Sequence, residues 1–141
     1  MAIITNQNPD YVSRLQGIRL FVNNTFTADD LADSVIENDV YLGSANREVA
    51  RRVPGWASLT GDDREDIEVA VQKICAAEIL ISEFDMTQQS NSDLSESIKG
   101  SDPAARAAKL RGDADIIVER LNPSSTVSAG GTIFKVVKVG V

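Results

Sequence analysis

Ile67-Glu68-Val69-Ala70-Val71-Gln72-Lys73-Ile74-Cys75-Ala76-Ala77-Glu78-Ile79-Leu80-Ile81 is the stretch whose reading decides the fold. Ile67, Ala70, Val71, Ile74, Ala77, Leu80 and Ile81 recur at helical steps, the signature of one buried face. Val69, Cys75, Ala76 and Ile79 carry apolar surface around most of the remaining circumference. A helix apolar on so many sides belongs at the centre of a bundle or between subunits. Thr60 or Asp62 caps its start. Asp62, Asp63, Glu65 and Asp66 follow, where negative charge suits the positive end of the helix dipole. The pattern carries this helix to Phe84.

Two helices are read before it. Phe26-Thr27-Ala28-Asp29-Asp30-Leu31 holds Thr27 as N-cap, with Asp30 three residues on as a variant capping box. Phe26 and Leu31 are spaced as a hydrophobic staple, and the helix is expected to run to Glu37. Asn38-Asp39 reads as a break and a new cap. The next helix, over 40–53, places Leu42, Ala45, Val49 and Val53 on one stripe and ends at Val53-Pro54-Gly55. Trp56, just beyond, is expected to lie as a lid on the core.

After the long helix, residues 85–101 are polar and rich in Ser, Gln and Asn, which predicts a loop. A last helix opens at Asp102-Pro103, cap and favoured first position. Ala104, Ala107, Ala108, Leu110, Ala114, Ile117, Val118 and Leu121 form its apolar face, and Asn122-Pro123 stops it. At the other end of the chain, Ile18, Leu20 and Val22 alternate with Arg19 and Phe21, suggesting a short strand or extended arm, although a helix can be drawn over 11–20. The expectation is therefore all-α: a four-helix bundle-like domain over 26–121, an extended N-terminal arm over 1–25, and a linker and C-terminal β-strand tail over 122–141.

That tail, Gly130-Gly131-Thr132-Ile133-Phe134-Lys135-Val136-Val137-Lys138-Val139-Gly140-Val141, is apolar and β-branched on a Gly130–Gly131 hinge. A free strand edge invites pairing with another chain. Ile133, Phe134, Val136, Val137 and Val139 are the candidate docking residues. The alternative is a strand folding back on its own subunit, against residues 18–22.

Composition narrows the function. At 141 residues the chain makes one domain plus extensions, and 43% hydrophobic content permits a core that, with 5% aromatics, is built of Val, Ile, Leu and Ala. Net charge is −7, and setting aside the two lysines of the last 21 residues leaves −9 on the rest. Such a surface repels phosphate backbones, which argues against DNA reading but suits a surface that DNA slides past. No secretory signal or membrane-spanning stretch is read, so a soluble protein made in the cytoplasm is expected.

Candidate chemistry is sparse. Asp29, Asp33 and Glu37 share a helical face in a spacing that Mg²⁺ ligands can use, but the acids here and at Asp62, Asp63, Glu65 and Asp66 sit at helix starts and are better read as dipole partners. Cys75, the single cysteine, sits among apolar neighbours, and with no histidine in the chain it lacks a general base. Gly130-Gly131-Thr132 lacks the lysine of a phosphate loop. No cofactor, metal or catalytic residue is assigned. Arg47, Arg51 and Arg52 form the one basic cluster. They either pair with Glu48 and nearby acids or meet Asp29, Asp30 and Asp33 of a neighbouring copy, as unlike patches do around a ring.

The order of elements resembles the small head–tail connector (adaptor, or head-completion) proteins of tailed bacteriophages. Phe26-Thr27-Ala28-Asp29-Asp30-Leu31, then Tyr41-Leu42-Gly43-Ser44-Ala45-Asn46-Arg47-Glu48-Val49 and Arg51-Arg52-Val53-Pro54, look like their first helix pair. Leu59-Thr60-Gly61-Asp62-Asp63 opens a helix similar to their central one, and residues 104–121 match their Ala-rich last helix. The resemblance covers 26–121. It implies a structural virion protein at the neck, a dodecameric ring beneath the portal that extends the DNA channel. Its partners would be the portal protein, neighbouring copies and the next neck or tail component, with DNA passing unbound and no membrane involved. A small antitoxin-like regulatory module, whose strand pairs with one cognate partner, is the alternative.

Overall fold

A computed structural model describes residues 2–84 and 102–123. They are mostly helical. In chain order they form α1 (Tyr11–Val22), α2 (Asp33–Ile36), a π-helical turn (Asp39–Gly43), α3 (Ser44–Arg52), a 3-10 turn (Trp56–Ser58), α4 (Gly61–Ile79), a second π-helical turn (Leu80–Phe84) and α5 (Pro103–Leu121). The expected loop over 85–101, the hinge and the C-terminal strand lie outside the described residues.

α4 is the axis of the body. It packs against α1, α3 and α5, and Ile67, Ala70, Val71, Ile74, Cys75, Ala76, Ala77 and Ile79 are all buried. The chain itself covers nearly the whole circumference, so no neighbouring subunit is needed to bury this helix. Ile81, placed on the buried face by periodicity, is instead 44% exposed, because the π-helical turn that follows Ile79 shifts the register of the face.

The first 25 residues depart furthest from expectation. No extended arm forms in their described part. Residues 11–22 are helical, and Ile3, Ile4, Leu15, Ile18 and Val22 belong to the same buried cluster as α4. Full burial of an isoleucine contributes about 1.5–3 kcal/mol, so these five side chains are a substantial part of the core. Ile18–Leu20–Val22 mimics strand alternation, but Leu20 is exposed while Arg19 turns inward. Arg19 Nε donates to the Leu31 carbonyl at 2.6 Å, and its guanidinium also pairs with Asp33. Gly17 permits the close approach of α1 to α4, since a Cβ there would collide with Gln72 Nε2.

The expected helix over 27–37 is interrupted. Thr27 and Asp30 do form the reciprocal cap: the Thr27 N–H donates to Asp30 Oδ2 at 2.8 Å and the Asp29 N–H to Thr27 Oγ1 at 3.2 Å. Phe26 and Leu31 are both buried as the staple requires. One turn later Ala32 is extended (φ −68, ψ 152) and α2 begins at Asp33. The break frees the Leu31 carbonyl for Arg19 and carries Leu31 into the core.

Two other starts follow the sequence, whereas Thr60 takes the N-cap position of α4 without a side-chain hydrogen bond to the helix. Asn38 Oδ1 accepts from the Val40 N–H at 3.0 Å, and Leu42, Ala45, Val49 and Val53 are buried. Asp102 Oδ1 accepts from the Ala105 N–H at 3.3 Å, with Pro103 in the first turn of α5. On that helix Ala107, Leu110, Ala114 and Val118 are buried, whereas Ala104 and Ala108 face solvent. Trp56 packs at the core edge beneath the Arg64 guanidinium, 5.2 Å from its ring centre.

Candidate functional site

Of the residues read as docking or hinge positions, Gly130, Gly131, Ile133, Phe134, Val136, Val137 and Val139 lie outside the described residues. The charged candidates are all described, and most already have partners within the chain. Arg47 holds Asp39 with two parallel hydrogen bonds, Nη1–Oδ1 at 2.8 Å and Nη2–Oδ2 at 3.1 Å. The guanidinium keeps the Asp39 carboxyl below its ordinary pKa, first through the hydrogen bond and then through its charge. Arg52 Nη1 reaches Glu48 at 3.3 Å and Asp115 at 2.8 Å. Asp33 belongs to Arg19, and Asp30 is the acceptor of the Thr27 cap. Arg51 and Asp29 are exposed, and neither has an ion-pair partner among the described residues.

The pairing of Arg52 extends into a ladder across three helices. Arg111 of α5 binds Glu48 of α3 at 2.9 Å and Glu78 of α4 at 3.3 Å, while Lys73 meets Asp113 at 3.2 Å. Lys73, then burial working in the opposite direction, sets the Asp113 carboxyl, which lies below its ordinary pKa. Arg120 spans Asp63 and Asp66. The acids crowding the start of α4 thus serve α5 as well as the helix dipole. Among the described residues no group of acids is arranged to hold a metal ion.

A second polar cluster was not apparent from sequence. Arg14 of α1 is buried, and its Nε donates to Asp10 Oδ2 at 3.0 Å. Its Nη1 donates to Gln72 at 3.1 Å and its Nη2 pairs with Glu65. Gln72 Nε2 returns a hydrogen bond to the Arg14 carbonyl at 2.9 Å. Burial opposes the Arg14 charge, but Glu65, Glu68 and Asp10 outweigh it and raise its pKa. Glu68 sits 5% exposed between two arginines. Its Oε2 accepts from Arg64 Nε at 2.7 Å, and its Oε1 lies 2.8 Å from Arg14 Nε. The single Nε hydrogen of Arg14 is directed at Asp10, so Glu68 Oε1 has a charge partner but receives no hydrogen bond.

Asp10, Arg64, Glu65 and Glu68 line an open cleft of about 530 Å³ with Gln7, Asn8, Pro9 and Gly61. The i, i+4 spacing of Asp10–Arg14 and Arg64–Glu68 is visible in the sequence, but their convergence depends on how α1 crosses α4.

Comparison with protein-family models, with characterised proteins and with solved structures gave no match. Cys75 is buried, and desolvation followed by the nearby Glu78 charge pushes its thiol well above the ordinary value, which suits a core residue rather than a nucleophile. No helix of the described residues is long and apolar enough to cross a membrane.

Proposed function

We propose that this protein is a structural subunit of a phage neck. In this reading it forms a dodecameric ring beneath the portal, joins capsid to tail and extends the DNA channel. The observation that carries the reading is the order of elements: a capped turn with Phe26 and Leu31 buried, α3 stopped at Val53-Pro54, a long central α4 opened by Leu59-Thr60-Gly61, and an Ala-rich α5. The acidic surface suits a conduit that DNA passes without adhering. The apolar segment over 133–139, hinged at Gly130 and Gly131, is the docking strand for the portal. Of the charges assigned to ring contacts, Arg51 and Asp29 are the pair still available to a neighbouring copy, since the others have intrachain partners.

Removing residues 130–141 tests this. Helicity by circular dichroism should stay nearly unchanged while binding to the portal is lost; full portal binding by the truncated chain would overturn the docking role. A second reading, a regulatory module with one cognate partner, draws on the burial of α4 by its own chain, which suits a subunit that stands alone. A stable 1:1 or 2:2 complex without a ring would favour it.

A further inference from the structure

We draw no further inference here: the strongest candidate, the outer face of α5 on which Ala104, Ala108, Gly112 and the 70% exposed Ile116 recur every four residues, is an unpartnered helix face, and nothing among the described residues shows what covers it.

Discussion

Asn46→Ala tests whether the first residues are built into the core. Asn46 lies on α3, 5% exposed, and its amide embraces the Ile4 peptide from both sides. The Ile4 N–H donates to Asn46 Oδ1 at 2.9 Å, and Asn46 Nδ2 donates to the Ile4 carbonyl at 3.0 Å. Arg64 Nη2 adds a hydrogen bond to the Ile3 carbonyl at 2.9 Å. Alanine would leave two buried backbone groups of Ile4 without partners, at about 1–3 kcal/mol each. The segment could escape that cost by detaching, but it would then expose Ile3 and Ile4, whose burial is worth about 1.5–3 kcal/mol apiece. Either route predicts a loss of about 2–6 kcal/mol, large against the total stability of a small domain. Urea unfolding followed by circular dichroism measures it. An unchanged slope means the segment stays docked, and a reduced slope means it has detached before global unfolding. A loss below about 0.5 kcal/mol, the range of ordinary surface substitutions, would refute the claim that this clasp holds the N-terminal residues.

Three other outcomes follow from the same packing. Ile18→Ala, on a fully buried position of α1, should cost about 2–5 kcal/mol; a melting point equal to the parent's would restore the extended arm. Gly17→Ala should destabilise by about 1–3 kcal/mol, because Gln72 is tied to Arg14 at both ends and cannot yield; a neutral result means α1 lies farther from α4. Tyr41, buried and hydrogen-bonded to Glu83, has its phenol pushed from 10.0 up to about 12. The fold holds that proton more tightly than the unfolded chain, so the contribution is complete below pH 10 and is lost as pH rises from there toward 12. Tyr41→Phe should flatten the stability curve over that window, and a curve parallel to the parent's contradicts the assignment.

What could be read in the sequence was what depends on neighbours along the chain. The helical period of Ile67, Ala70, Val71 and Ile74 predicts α4, and Asn38 and Asp102 mark starts because their side chains bond backbone within three residues, as Thr27 does for an isolated turn that does not continue into a helix. α1 was obscured because two of its inward positions are arginines. Arg14 and Arg19 break the apolar pattern, and both are tolerated only because carboxylates and carbonyls from distant elements meet them. The π-helical turns were equally hidden. At the first, Gly43 leaves room for the Asp39 side chain, and Tyr41 and Leu42 are both buried, a combination that helical periodicity does not anticipate. The cleft around Glu68 could not be assembled from sequence, since its parts join only where α1 meets α4. The intrachain partners of Arg47 and Arg52 are half legible: Glu48 lies close in the sequence on the same helix, whereas Asp39 and Asp115 come from other elements.

The central claim is assembly with a portal, and imaging tests it most directly. Under the proposed function, the full chain mixed with a phage portal protein should appear by negative-stain electron microscopy as a closed ring coaxial with the portal. Discrete 1:1 or 2:2 complexes, or no association with the portal at all, would contradict the account.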